Sequence, residues 1–519
     1  MRAAEVLPER FNAAAHFVDR NVAEGRGARP AFLCEDRTLT YADLLALVNR
    51  TGNALRGLGV KPADRVVMIC LDAPEFLGTF WGAMKIGAVP VPVNTLMRAA
   101  DYRHVLNDSQ ARAAVVSSPL LAEAAPALGE APHVEHVLVA GPPGQFLSWE
   151  AHVENASPDL EAAPTSRDDP AFWLYSSGST GSPKGAVHLH HDMFVCAETY
   201  AKQVLGLDAA DRVFSAAKLF FAYGLGNAGY FPLSVGAHSV LCAPRPTPEA
   251  VFDVIERYRP TLFFGVPTLY AGMLALKDTE RRRDLSSLRL CVSAGEALPA
   301  EMYARWRERF GVEIIDGMGT TELLHMCLSN RPGAARPGSS GRPVPGYDAM
   351  IVDDAGRPVP PGEIGNLRVR GDSIMAGYWN QPEKTAQTLH GEWLLTGDKY
   401  YQDGDGYFWY CGRSDDMLKV GGRWVSPVEV EATLSAHPAV LESAVVGHEG
   451  EDGLVKAKAF VVLKELARAS PALAAELQAF VKEKIAPYKA PRWVEFVEGL
   501  PKTATGKIQR FRLRRSCRA

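Results

Sequence analysis

The segment Tyr175-Ser-Ser-Gly-Ser-Thr-Gly-Ser-Pro-Lys-Gly185 combines small residues, hydroxyls and one lysine directly after the apolar run Phe172-Trp-Leu174. This chemistry suits a phosphate. Glycines let backbone N–H groups approach an anion, Ser and Thr hydroxyls donate hydrogen bonds, and the Lys184 ammonium offers a point charge to a polyphosphate. It is not a Walker A loop, because Pro183 and Gly185 stand where GxxxxGK[ST] requires Gly and Ser or Thr. A plain surface turn is the competing reading of any Gly/Ser stretch, and the hydroxyls and lysine in one string weigh against it. A second cluster, His188-Leu-His-His191, has the residue types of a metal site. No matching third-ligand motif accompanies it, so His190 is expected to pack behind the phosphate loop instead.

These residues need a scaffold, and the hydrophobic pattern supplies one. Thr40-x-x-Asp43 resembles a capping box, Tyr41, Leu44, Leu45, Val48, Leu55 and Leu58 share a helix face, and Gly59 is a natural stop. Arg65 to Cys70 reads as a buried strand, Pro74 to Ile86 as a helix, and Ala88 to Val93 as strand again. That is the βαβ rhythm of a parallel sheet. It recurs at Arg112 to Val116, His238 to Cys242, Val251 to Tyr258 and Thr261 to Phe264. Pro119 to Pro132 and Gly141 to Pro143 read as surface connections. From about Gly341 short strands and turn signals (Asp353-Asp-Ala-Gly356, Pro360-Pro-Gly362, Asp403-Gly-Asp-Gly406) indicate a β-rich subdomain. A smaller α+β unit closes the chain, with an amphipathic helix after Pro471 that carries Leu473, Leu477, Phe480, Val481 and Ile485.

Composition narrows the class. A chain of 519 residues, 47% hydrophobic, has room for several domain-sized units. Its net charge of −4 lacks the basic footprint of a nucleic-acid binder. Eight dispersed cysteines without a CxxC pair suit a reducing cytoplasm. The N-terminal stretch has no continuous apolar core of a signal peptide, and apolar runs such as Val66 to Leu71 fall far short of a membrane span.

Four further segments follow the glycine-rich loop in order: Asp316-Gly-Met-Gly-Thr-Thr-Glu322, Thr396-Gly-Asp398, Gly412-Arg-Ser-Asp-Asp-Met-Leu-Lys419 and Pro501-Lys-Thr-Ala-Thr-Gly-Lys507. Together with the loop they resemble the adenylate-forming acyl-CoA ligases, a superfamily grouped with luciferases and peptide-synthetase adenylation domains. The resemblance covers nearly the whole chain. It implies an α/β fold with a large multi-lobed N-terminal domain over 1–414, comprising two α/β lobes to about 340 and a β-rich subdomain over 341–414. A small mobile α+β C-terminal domain would occupy 415–519, hinged at Asp415. The implied substrates are ATP, CoA and a carboxylic acid, with Mg²⁺ and no tightly bound prosthetic group; no membrane or nucleic-acid partner is implied, and a homodimer is a family-level expectation.

The resemblance also assigns residues. Thr180 and Lys184 would hold the β and γ phosphates beside Ser177, Gly178, Ser179 and Gly181; Thr321 would meet an α-phosphate oxygen, and Glu322 the Mg²⁺. Glu296, Asp316, Gly317 and Met318 would complete the nucleotide site, with Asp398 on the ribose hydroxyls and Arg413 near ribose and phosphate. Met318 stands where the family often has an aromatic residue, and a thioether can cover an adenine face. Lys507 would bridge the carboxylate and ribose-side oxygens during adenylation. After rotation about Asp415, Lys419 would enter the site and Gly421 and Gly422 would border a pantetheine tunnel, although a glycine pair also suits a hairpin turn.

Three strings bear on the acid: Lys218-Leu-Phe-Phe-Ala-Tyr-Gly-Leu-Gly-Asn227, Ser293-Ala-Gly-Glu296 and Leu323-Leu-His-Met326. They look closest to the benzoate-CoA ligase branch, in which Ala222 and Tyr223 would flank an aromatic ring. Ala294, Gly295 and Gly317 would provide flat walls, and His325 and Met326 the far side. His325 could accept from or donate to a ring hydroxyl or amino group, so hydroxybenzoate and aminobenzoate stay open. A stand-alone adenylation enzyme that loads a carrier protein is a second reading. A non-enzymatic acyl-adenylate binder would be expected to lack Lys507, Glu322 or Lys184, and all three are present.

Overall fold

The computed structural model describes residues 2–176, 183–276, 283–420, 423–450, 454–465, 469–502 and 508–516, the side chains of Lys419, Arg423, Trp424, Arg515 and Ser516 apart. Thr40 opens the helix Tyr41–Gly57: its hydroxyl accepts from the Asp43 N–H while Asp43 accepts from the Thr40 N–H, a reciprocal capping box. The buried face of that helix carries Tyr41, Leu44, Val48 and Leu55. It packs on the helix Pro74–Lys85 so closely that a Cβ on Gly82 would stand 2.9 Å from the Val48 carbonyl.

Two parallel sheets carry the N-terminal region. The first runs Val89–Pro92, Arg65–Ile69, Ala113–Ser117, His136–Ala140, Leu147–Ser148 in spatial order, every pair parallel. The second has nine strands; its parallel centre comprises Ile314–Gly319, Leu290–Ser293, Leu262–Gly265, Arg212–Ser215, His238–Leu241 and Pro30–Cys34, and antiparallel strands close both edges. Residues of the central strands are almost entirely buried, as expected when helices cover both faces. A three-stranded antiparallel sheet places Lys184–Leu189 between Pro170–Ser176 and Gly377–Tyr378. The turn signals after Gly341 form an antiparallel sheet built from Asp348–Val352, Gly365–Arg370, Trp393–Gln402 and Phe408–Arg413 with the short Leu389–His390 at its edge.

Beyond Leu418 lies the small α+β unit. Strands Val440–Glu449, Val455–Leu463 and Trp493–Phe496 form one sheet, covered by the helices Pro427–Ser435 and Pro471–Lys484. Leu473, Leu477 and Val481 of the latter are buried, and Phe480 and Ile485 are half-buried at its margin.

Pro119 to Pro132 is more ordered than its prolines suggest. It contains a helical turn, Ser118–Leu120, followed by the helix Leu121–Leu128, which buries Ala124, Ala127 and Leu128 despite an internal Pro126. Alanine and leucine propensity together with burial outweighs the lost N–H of a proline in a short helix.

His190 is buried and His16 and His238 are half-buried, each as a neutral ring. Burial pulls His16 down to about 3 and His190 and His238 to about 4. The bonds agree: the Ala13 N–H donates to His190 Nδ1 at 3.1 Å, and Arg212 Nε donates to His238 Nε2 at 2.7 Å. Each folded pKa lies below the unfolded value near 6.5, so their contribution is complete above pH 6.5 and is lost as pH falls toward 4, where the unfolded chain alone gains protons. Together the three rings lose on the order of several kcal/mol between pH 6.5 and 4, the buried Asp316, protonated there only in the folded state, offsets part of it, and denaturant titrations are expected to show the remainder.

Candidate active site

The small three-stranded sheet meets the end of the nine-stranded sheet at Glu322. Its Oε1 accepts from the Tyr378 hydroxyl at 2.7 Å and from Ser176 Oγ at 3.4 Å. Ser176 ends the strand before the glycine-rich loop, Lys184 begins the strand after it, and Tyr378 pairs with Ala186 across the same small sheet. Lys184 Nζ lies over the Tyr378 ring, 4.5 Å from its centre. Burial lowers the Lys184 pKa, the Glu322 carboxylate opposes that shift, and Lys384 and Arg413 add to it. A lysine held among cations and one carboxylate is a place for an anion that brings more negative charge than the protein supplies.

Asp398 and Arg413 face each other across the adjacent antiparallel sheet, where they are register partners; Arg413 donates from its terminal nitrogen to Asp398 Oδ1 at 3.3 Å. Asp398 is 7% exposed. Gly397 beside it has φ +77°, the left-handed conformation that favours glycine, and a Cβ there would stand 3.1 Å from the Arg413 guanidinium. Thr396 Oγ1 accepts from the Asp398 N–H at 3.2 Å and donates to the Leu367 carbonyl at 3.1 Å, fixing the turn that presents the carboxylate.

The nucleotide-motif strand Ile314–Gly319 contributes mostly support. Asp316 turns its carboxyl inward, Oδ2 accepting from the Leu298 N–H at 3.3 Å, and burial raises its pKa to about 8. Met318 is buried with its sulfur 3.4 Å from Cys327 Sγ. Gly317 is required sterically, since a Cβ would lie 2.8 Å from the Leu328 carbonyl and 3.0 Å from Met326 Sδ. Thr321 is half-buried and its carbonyl meets His188 Nε2 at 2.8 Å. His188, which stacks on Phe172 and bonds Asp192, is therefore the histidine of the triplet that backs the nucleotide motif. His190 Nδ1 accepts from the Ala13 N–H of the N-terminal segment, and the loop that His190 is expected to back lies outside the described residues. No group of three or more His, Cys, Asp or Glu side chains able to hold a metal occurs among the described residues.

Near the expected acyl region, Tyr223 reaches the carbonyls of Val292 and Gly265 at 3.3 and 3.4 Å, and its ring lies 5.7 Å from that of His325. His325 and Met326 are buried, Ala294 is buried at the end of its strand, Ala222 is half-buried, and Gly295 follows with φ +91°. Glu296 is half-buried next to it. Asp415 sits in an exposed turn, its carbonyl accepting from Arg514 at 3.3 Å. Ser177, Gly178, Ser179, Thr180, Gly181, Gly421, Gly422 and Lys507 lie outside the described residues, as does the side chain of Lys419.

The AMP-binding enzyme family model matches residues 19–379, and the AMP-binding enzyme C-terminal domain matches residues 429–507. The chain belongs to the AMP-binding enzyme family. Among relatives of this AMP-binding enzyme, the benzoate–CoA ligase of Thauera aromatica is 54% identical over 98% of this chain and 96% of its own. The 4-hydroxybenzoate–CoA/benzoate–CoA ligase of Rhodopseudomonas palustris (strain ATCC BAA-98 / CGA009) is 47% identical over 97% of this chain and 94% of its own. The crystal structure of the anthranilate CoA ligase AuaEII in complex with anthranoyl-AMP superposes with a TM-score of 0.95 at 47% identity, covering 100% of this chain and 99% of that one.

The sequence gives no role to Tyr378, which lies outside every motif, or to Ser176, which lies inside the glycine-rich string. Each meets Glu322 only through tertiary structure. Tyr378→Phe in this AMP-binding enzyme removes a hydrogen bond to a carboxylate, so kcat/KM for pyrophosphate release is expected to fall roughly tenfold with the melting temperature nearly unchanged.

Proposed function

We propose that the chain is a benzoate–CoA ligase, an AMP-forming acid–thiol ligase. The reading is carried by 54% identity to a benzoate–CoA ligase over nearly the full length of both chains. A benzoate oxygen attacks the α-phosphorus of ATP, the bond to the bridging oxygen breaks, and pyrophosphate leaves. The CoA thiol, after losing its proton to solvent, then attacks the carbonyl carbon of benzoyl-adenylate; the C–O bond breaks and AMP leaves with both electrons.

The chemistry of the first step is the approach of two anions. Lys184 and Thr180 hold the outer phosphates, and Asp398 fixes the ribose by accepting from its hydroxyls while Arg413 neutralises nearby charge. Mg²⁺, entering with ATP as part of the substrate, would be held by Glu322 together with phosphate oxygens and water. A single carboxylate suits an ion that keeps several waters and binds through one or two carboxylates. Bound there, it neutralises phosphate charge as a Lewis acid. Lys507 bridges the reacting carboxylate and the ribose side. For the second step the unit over 415–519 turns about Asp415, replacing Lys507 by the face that bears Lys419, Gly421 and Gly422.

Ala222, Tyr223, Ala294, Gly295, Gly317, His325 and Met326 form the acyl pocket, and hydroxybenzoate and aminobenzoate are the neighbouring substrates, in keeping with the names of the R. palustris relative and the AuaEII structure. No helix among the described residues is long and apolar enough to cross a membrane, and the seven cysteines among them are free thiols, which supports a reducing cytoplasmic setting. The test is pyrophosphate release with ATP, Mg²⁺ and CoA across benzoate, hydroxybenzoates, aminobenzoates, cinnamate and medium-chain fatty acids. Benzoate or a simple ring-substituted benzoate is expected to give the highest kcat/KM; a fatty acid ahead of every benzoate would overturn the pocket.

A further inference from the structure

The helical turn that carries Tyr223 continues into a π-helical stretch, Leu225–Tyr230, whose residues are all buried. Insertions of this kind are frequent at functional sites. Here the stretch brings Gly226 and Asn227 against His325. A Cβ on Gly226 would overlap the His325 ring and stand 2.8 Å from Nε2, so glycine permits the approach.

The proton positions in this contact follow from the chain of partners. Ser215 Oγ donates to the Ala217 carbonyl at 3.0 Å, which leaves it only acceptor capacity toward Asn227. The Asn227 amide nitrogen therefore faces Ser215, at 3.5 Å, and Asn227 Oδ1 faces His325 Nε2, at 3.1 Å. An amide oxygen can only accept, so the imidazole proton resides on Nε2. Nδ1 then carries a bare lone pair, and it is buried with no hydrogen-bond partner among the described residues. The rings of Phe231, Tyr200 and Tyr223 surround the imidazole with centres 4.5, 5.2 and 5.7 Å away. Burial holds the ring neutral, its pKa drawn down to about 3 against an opposing backbone interaction with Tyr223.

We infer that Asn227 is a positioning residue for substrate selection: by fixing the His325 tautomer it makes Nδ1 an acceptor for a hydroxyl or amino group on the ring of the bound acid. The inference rests on the acyl pocket proposed above. It resolves the two roles open to His325 in favour of accepting. A ring donor satisfies an otherwise bare buried lone pair, whereas a methoxy or fluoro group of similar size sets lone pair against lone pair.

Two measurements on the full chain test this. In protein labelled with ¹⁵N-histidine, long-range ¹H–¹⁵N correlations, with the His325 signal identified by its loss in His325→Gln, are expected to show a protonated Nε2 and a bare Nδ1. Asn227→Asp, which keeps an acceptor, should preserve that pattern, and Asn227→Leu should lose it. In parallel, kcat/KM is compared at the ortho, meta and para positions for hydroxy- and aminobenzoates against their methoxy and fluoro counterparts. At one ring position the donor should exceed its counterparts by roughly tenfold or more. Asn227→Leu should collapse that ratio toward one, and Asn227→Asp should retain it. A protonated Nδ1 in the parent protein, or equal kcat/KM for donors and their counterparts at every position, would overturn the proposal, and the parent spectrum decides the tautomer even if a variant does not fold. Absence of benzoate turnover in the parent would instead overturn the acyl-site reading.

Discussion

Lys507→Ala is expected to abolish benzoyl-adenylate formation while leaving thioester formation from supplied benzoyl-adenylate and CoA largely intact. The first step needs a cation between two anionic groups at the moment of attack, and loss of one preorganised group of this kind costs on the order of 10²- to 10³-fold in rate. The second step needs the site cleared of that group. The framework on either side of residues 503–507 is well anchored: Lys502 bridges to Ile508, the Gln509 N–H donates to the Pro501 carbonyl at 2.8 Å, and Arg510 holds Glu431 through bonds of 2.7 and 3.2 Å. Removing one lysine amine should therefore not unfold the unit. Quench-flow of each half-reaction separates the steps, and equal loss of both would contradict the division of labour.

Glu322→Gln is expected to lower the rate of adenylate formation by roughly 10²- to 10³-fold. The substitution is isosteric and keeps an oxygen for the Tyr378 hydroxyl and Ser176 Oγ, so the junction of the two sheets should persist and the melting temperature should move little. What is lost is charge. Glu322 opposes the burial-driven lowering of the Lys184 pKa and is the carboxylate assigned to the metal. The Mg²⁺ concentration for half-maximal pyrophosphate release should rise together with the fall in rate. A variant within a few-fold of the parent, with an unchanged Mg²⁺ requirement, would remove Glu322 from the metal site.

The parts legible in the sequence were those set by local rules. The Thr40–Asp43 capping box, the strand from Arg65 and the helix from Pro74 follow from spacing and end chemistry alone, and the structure reproduces each within a residue or two. The helix Leu121–Leu128 was hidden because Pro119, Pro126 and Pro132 read as punctuation, whereas burial of Ala124 and Leu128 decides the conformation. Motif residues such as Glu322 and Asp398 stand out through composition and resemblance. Their pairings do not: Tyr378 and Ser176 reach Glu322 from 56 and 146 residues away, and Asn227 meets His325 across 98. No periodicity encodes such contacts. The charge balance behaves similarly, a net −4 overall while Lys384, Arg413 and Glu322 all act on Lys184.

Product analysis reaches the proposed activity without a variant. Incubated with benzoate, ATP, Mg²⁺ and CoA, the full chain should yield benzoyl-CoA, AMP and pyrophosphate in equal amounts by mass spectrometry and nucleotide chromatography, with benzoyl-adenylate accumulating when CoA is withheld. ADP and phosphate in place of AMP and pyrophosphate, or no benzoyl-CoA from active ATP-consuming protein, would contradict it.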